Sequence, residues 1–152
     1  MRMDEVSRTI LASLQRNART TAAELAARTG AAASTCLRRL RALESSGAIR
    51  GYHADVDPAA VGFSLQVIAF VTLDREDRDT IEAFEREVAT ITQVVSAERL
   101  FGDPDYLLRV AAKDLEDYQR LRDNHLGELP GLSKITSTLV MRTLVEHRSL
   151  PF

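Results

Sequence analysis

The stretch from Thr21 to Tyr52, TAAELAARTGAAASTCLRRLRALESSGAIRGY, restricts this chain more than any other part of it. Its apolar residues recur at helical spacing on both sides of a short turn that contains Gly30. Three arginines cluster in the second of the two helical halves. Two short helices joined by a tight turn, the second carrying cations, is the geometry with which a small protein seats a helix in the major groove of DNA.

The neighbouring residues complete a three-helix unit. Val6, Ile10, Leu11 and Leu14 predict an amphipathic helix over about residues 4–16, with Asp4 and Glu5 at the end where acids suit the helix dipole. Thr21-Ala22-Ala23-Glu24 reads as a capping box that opens a second helix, with Ala22, Leu25 and Ala26 inward and Gly30 as its C-cap. The third helix is expected over residues 33–45. There Cys36, Leu37, Leu40 and Leu43 share one face, and Ser34, Arg38, Arg41 and Ser45 form a stripe on the other, flanked by Thr35 and Arg39. An arginine fork can hydrogen-bond guanine, Ser and Thr can bond bases or phosphates, and off-stripe arginines more often hold phosphates. The candidate DNA contacts are Ser34, Thr35, Arg38, Arg39 and Arg41, with Thr21 and Arg28 from the preceding helix. Cys36 reads as a small core residue. Residues 47–52 read as a helix stop followed by a short strand, either a wing or the start of a linker.

Charge agrees with this division. Residues 1–50 carry nine arginines against four acids, a net +5, while the other 102 residues carry 11 basic and 18 acidic side chains, a net −7. A basic head on an acidic body suits a head that binds a polyanion and a body that does not. The 152 residues suffice for one ordinary domain or two small ones. No apolar run reaches transmembrane length, and the opening MRMDEVSRTI lacks the apolar core of a signal peptide, so a cytoplasmic location is expected. The single Cys36 rules out an internal disulfide and a Cys-rich zinc site.

Past residue 50 the pattern changes. Residues 51–63 contain Pro58 and Gly62, lack helical period and read as a partly extended linker. Residues 64–152 then give a strand over Ser64–Leu73, a helix over Thr80–Val88, strands over Gln93–Phe101 and Tyr106–Ala112, a helix over Asp114–Leu129, and a last strand over Leu132–Val145. The order βαββαβ predicts a ferredoxin-like split unit, and the whole chain an α+β fold. Leu65, Val67, Ala69, Val71 and Leu73 alternate with Ile68 and Phe70, so the first strand should be buried on both faces. Helices cover only one face of such a sheet. The other needs a partner, most simply the same sheet of a second subunit, so at least a dimer is expected.

The residues M-D…I-L…L…N-A-R, E-L-A…G and S-T-C-L-R-R-L…L-E…G-A-I-R-G-Y, taken in that order, resemble the Lrp/AsnC (feast/famine) family of transcriptional regulators over nearly the whole chain. The resemblance implies a winged helix-turn-helix at residues 1–50 and a RAM/ACT-like effector-binding and oligomerisation domain at 64–152. It implies double-stranded operator DNA as partner, a small effector that is usually an amino acid, and dimers that often assemble into octamers. The family's G-D-x-D-Y motif stands here as Gly102-Asp103-Pro104-Asp105-Tyr106, which the resemblance places at the dimer–dimer contact and at the effector. Loop N–H groups there could hold a carboxylate, and Asp103 or Asp105 an ammonium. Ser137 and Thr138 fall where the family places effector-facing hydroxyls, although strand alternation turns one of them away. Two residues depart from the family pattern. Ala31 replaces a larger apolar residue, and Ala32 replaces a capping Ser, leaving Ser34 as a substitute cap one turn later.

Enzymes find little support. His53, His125 and His147 form no metal spacing, and no serine elbow, phosphate loop or dinucleotide fingerprint is present, so neither metal nor cofactor is expected. Some proteins resembling this family are sirohaem decarboxylases that have lost DNA binding. Arg38-Arg39-Leu40-Arg41 argues against that reading; a ligand-sensing assembly protein with vestigial DNA-binding helices is the other alternative, which salt-dependent DNA binding would separate.

Overall fold

The computed structural model describes residues 3–146 and 148–152, so His147 lies outside the described residues. The chain separates into two compact units. One runs up to Asp55 and includes the tail from Leu144; the other is Val56–Thr143. Among the described residues no helix is long and apolar enough to cross a membrane.

The first unit holds α1 (Glu5–Arg16), α2 (Ala22–Thr29) and α3 (Ala33–Ser45). Asp4 caps α1, its Oδ1 accepting from the Ser7 amide at 2.9 Å. The expected capping box opens α2: the Thr21 hydroxyl accepts from the Glu24 amide, and the Glu24 carboxylate accepts from the Thr21 amide at 2.7 Å. Hydrogen bonds from Ser7 hold the Asp4 carboxyl below its ordinary pKa, with the Arg39 charge adding to the effect. Those from Thr21 do the same for Glu24. Gly30 ends α2 at φ 69°, a left-handed conformation that a side chain would disfavour.

Ile10, Leu14, Leu25, Cys36 and Leu43 form the core, with Val6, Leu11, Ala26, Leu40 and Ile49 packed around it. Leu37, expected on this face, is instead exposed. It sits about 95° around the helix from the middle of Cys36, Leu40 and Leu43, and a core this narrow closes on those three alone. The strand expected over residues 47–52 does not form. The chain turns at Gly47 (φ 75°), and the Gly47 and Ile49 amides donate to the Glu44 and Leu43 carbonyls of α3. The Tyr52 hydroxyl donates to Glu44 Oε1 at 2.9 Å. These bonds use backbone groups that a strand would need for a neighbour. In the tail, the Leu150 amide donates to Gln15 Oε1 at 2.7 Å.

The second unit holds β1 (Leu65–Leu73), α4 (Arg78–Val88), β2 (Val94–Arg99), β3 (Tyr106–Ala112), α5 (Leu115–Asn124) and β4 (Leu132–Leu139), the βαββαβ order read from the sequence. The strands pair antiparallel in the order β2-β3-β1-β4. Register sets Ala69 of β1 opposite Leu108 of β3 and Ser137 of β4. Val67, Ala69, Val71 and Leu73 point into the core, with Ile81, Phe84 and Val88 of α4 and Tyr118 and Leu121 of α5. Asp77 and Asp114 cap α4 and α5 through the Thr80 and Asp117 amides.

Three departures from expectation matter here. The second face of β1 (Gln66, Ile68, Phe70, Thr72) is half-buried, not buried, because the chain's own helices cover one face of the sheet. Helix α5 stops at Asn124, and Leu126–Glu128 continues as a single 3₁₀ turn that buries Leu126. Strand β4 ends at Leu139 rather than near Val145, because β1 begins at Leu65 and the Val140 amide already donates to the Gln66 carbonyl at its end.

α3 begins without help. Its N-cap is Ala32, which makes no side-chain hydrogen bond, and Ser34 lies inside the helix instead of capping it. Ala32→Ser should therefore raise the stability of this unit by about 1 kcal/mol, seen as a higher urea midpoint at unchanged slope. An unchanged midpoint would mean that the first turn of α3 is already satisfied by other groups.

Candidate functional site

The turn between α2 and α3 is pinned by a residue the sequence reading passed over. Thr29 Oγ1 donates to the Leu25 carbonyl at 2.8 Å, accepts from the Ala31 amide at 3.2 Å, and lies 3.3 Å from Cys36 Sγ. A Thr one residue before a C-cap Gly was the available signal. Cys36 is fully buried, as a small core residue should be. With the turn fixed and Cys36 and Leu43 inward, Ser34, Arg38, Arg41 and Ser45 all stand exposed on the opposite side of α3. Arg38 and Arg41 have no ion-pair partner among the described residues. Leu37 joins the edge of this stripe, where an apolar side chain could meet a thymine methyl.

Other candidates are placed differently. Thr35 is half-buried. Arg28 is exposed in the last turn of α2. The Thr21 hydroxyl is occupied within the capping box, where it donates to Glu24 Oε2 at 2.9 Å as well as accepting from the Glu24 amide. Arg39 is the clearest departure. Its Nη2 sits 2.7 Å from Asp4 Oδ2, and its Nε is buried without a hydrogen-bond partner among the described residues. It lies about 100° from Arg38, one residue of helix rotation, and that rotation turns it toward the start of α1.

The loop at Gly102–Tyr106 divides in two. Gly102 (φ 129°) and Asp103 are exposed. Asp105 is built into the sheet end: its Oδ2 accepts from the Leu73 amide at 2.7 Å, its amide donates to Val71, and its carbonyl accepts from Leu100. One oxygen of that carboxylate is thus committed to the end of the sheet. Tyr106 is a core residue, 3% exposed, with its ring centroid 4.4 Å from that of Phe84. Its hydroxyl donates to Glu85 Oε1 at 2.9 Å; burial and the Glu85 carboxylate push its pKa up to about 12. Strand alternation also separates the two hydroxyls of β4. Ser137 lies opposite Ala69 on the helix-covered side, 2.6 Å from the Tyr118 hydroxyl, and Thr138 lies opposite Ile68 on the outer side. The six effector candidates therefore do not line one spot in a single copy. None of them lines the depression of about 730 Å³ bordered by Glu87, Thr90, Gln93, His125 and Glu128.

The outer side of the sheet is the remaining feature. Register brings Phe70 beside Leu107 and Thr136, Ile68 beside Arg109 and Thr138, and Glu98 beside Leu107. An apolar centre with Glu98, Arg109, Lys134 and threonines around it is a face that could pair with a copy of itself.

A three-helix head with a cationic helix, carried on the same chain as a half-covered four-stranded sheet, defines a class: a DNA-binding regulator with a separate ligand or assembly domain. Comparison with known proteins makes this specific. Residues 3–50 match the winged helix-turn-helix DNA-binding family and residues 66–150 the Lrp/AsnC ligand binding domain. The chain is 36% identical over 142 residues to the HTH-type transcriptional regulator AldR of Mycolicibacterium smegmatis, covering 93% of this chain and 83% of that protein. It is 33% identical over 148 residues to the leucine-responsive regulatory protein of Escherichia coli, covering 97% and 90%. Among solved structures, a transcriptional regulator of Neisseria meningitidis in complex with L-Met superposes with a TM-score of 0.91 at 33% identity, covering 99% of this chain and 97% of that one. A feast or famine regulatory protein of M. tuberculosis complexed with L-methionine superposes with a TM-score of 0.87 at 26% identity, covering 97% of each. This chain belongs to the Lrp/AsnC family of transcriptional regulators: it binds DNA through its helix-turn-helix and carries the family's ligand-binding domain.

The loop geometry separates two neighbouring acids. Asp105→Ala leaves the Leu73 amide without its acceptor and should cost about 1–3 kcal/mol in denaturant unfolding. Asp103→Ala, on the exposed turn, should stay within about 0.5 kcal/mol of the parent. Equal losses at both positions would contradict the assignment of Asp105 to the sheet.

Proposed function

We propose that Arg38 and Arg41 read operator DNA from the exposed stripe of α3, with Ser34 and Thr35 at its N-terminal end and Arg28 on the flanking phosphates. The observation that carries this is the pair of exposed guanidinium groups, unpaired among the described residues, on the face opposite Cys36 and Leu43. Arginine forks at a helix surface suit guanine edges in the major groove. The sheet domain takes a small metabolite of the amino-acid class, as in the relatives solved with methionine. Gly102 and Asp103 are the loop residues free to meet it, and Thr138 is the β4 hydroxyl on the open side of the sheet. Contacts from a second copy complete the site, since one copy does not gather these groups. The protein works in the cytoplasm as a regulator and not as an enzyme. It is a dimer through the outer sheet face, and dimers associate further, to octamers, around the 102–106 loop. An effector with different affinities for two assemblies would then shift the assembly, and with it the spacing of DNA-binding heads.

Two experiments test this reading. Arg38→Ala should weaken binding to a selected operator by about 1–3 kcal/mol while circular dichroism and melting stay unchanged. Unaltered operator affinity would remove Arg38 as a reader. Phe70→Arg should convert the particle seen by light scattering at micromolar concentration into a monomer, because it places a charge at the centre of the apolar face. A parent protein that is itself a stable monomer at that concentration would overturn the dimer.

A further inference from the structure

Arg39 of α3 and Asp4 at the start of α1 form an ion pair that takes up one cation of the DNA-facing helix. Three arginines stand within four positions of α3, yet one of them bonds a carboxylate of its own chain. The Asp4 carboxylate has two tasks. Oδ1 is fixed by the Ser7 amide as the N-cap of α1, and Oδ2 holds Arg39 Nη2 at 2.7 Å. Because the cap already orders the carboxylate, less freedom is lost when the arginine joins it than in an ordinary surface pair. The Arg39 Nε is buried, so the guanidinium is seated along its stem as well as at its tip. Both side chains remain more than a third exposed, and pairs of that kind add little to stability. Their effect lies instead in what Arg39 is kept from doing. A phosphate oxygen and a carboxylate oxygen compete for the same guanidinium fork.

We infer that Asp4 is an internal stand-in for a DNA phosphate, occupying Arg39 and so limiting the general, sequence-independent affinity of the head for DNA. This rests on α3 as the DNA-facing helix. Asp4 is a positioning residue here, not a DNA contact, and it sets how many cations of the Arg38-Arg39-Leu40-Arg41 cluster reach the backbone. Asp4→Asn separates its two tasks, since Asn caps a helix as well as Asp but brings no charge to Arg39.

The test is binding of the full-length protein to a mixed-sequence DNA duplex, followed by fluorescence anisotropy across a salt series. One added phosphate contact steepens the plot of log affinity against log salt by about 0.9, so Asp4→Asn should lose about 3.5-fold more affinity than the parent between 50 and 200 mM salt for each bound head. It should bind more tightly than the parent at the low-salt end. Arg39→Gln should keep the parent's slope, and the double variant should behave as Arg39→Gln does.

Three results would overturn the inference: an Asp4→Asn slope equal to the parent's, an Arg39→Gln slope shallower than the parent's, or an Asp4→Asn effect that survives in the double variant. The last would assign the effect to the lost charge of Asp4 alone. If Asp4→Asn does not fold, the Arg39→Gln slope decides the matter by itself. Arg38→Ala on the selected operator serves as the control: if it leaves operator affinity unchanged, the reading of α3 has failed, not the role of Asp4.

Discussion

The burial of Cys36 and Leu43 against Ile10, Leu14 and Leu25 determines everything the first unit can do. A helix of thirteen residues can bury only one stripe, and once these two side chains are inside, the opposite stripe must meet solvent. The sequence places Arg38 and Arg41 there. With five buried core residues the unit has little apolar area to spend, so local devices matter more than in a large domain. The Thr21–Glu24 box, the Thr29 hydroxyl in the turn and the left-handed Gly30 hold α2 and α3 at a fixed angle without adding to the core. The uncapped start at Ala32 is the place where that economy fails.

The second unit obeys the corresponding rule for a sheet. Alternation along β1 sends Val67, Ala69, Val71 and Leu73 under the helices, and the same alternation forces Ile68 and Phe70 out. No rearrangement of a single copy can cover both sets with two helices. The proposed assembly follows from this strand geometry, and in that proposal a second copy completes the ligand site. A dimer of this kind would also pair the heads and give the regulator access to two half-sites at once.

What could be read from the sequence was whatever depends on local periodicity. The Thr21–Glu24 capping box, the Gly30 C-cap, the α2–α3 turn, the βαββαβ order and the exposed arginine stripe follow from spacings of two, three and four residues, and they stand in the structure where those spacings put them, whereas the substitute cap at Ser34 does not. What escaped depends on distant partners. Asp105 looks like a free loop acid until the Leu73 amide, thirty-two residues away, is seen to bind it. Tyr106 looks like a loop aromatic until Phe84 and Glu85 of α4 are placed around it. Arg39 looks like its neighbour Arg38 until Asp4, on another helix, takes it up. Leu37 falls on the apolar arc of α3, yet so small a core closes on a narrower arc and leaves it exposed. The strand expected after Gly47 failed because propensity without a pairing partner does not make a strand.

The central claim is that α3 heads act in pairs on DNA. Selection of binding sites by the full-length protein from a random-sequence duplex pool tests it most directly. The account predicts enrichment of inverted half-sites whose centres lie about 10 bp, or a multiple of it, apart. Enrichment of a single unrepeated motif, or no enrichment over the starting pool, would contradict it.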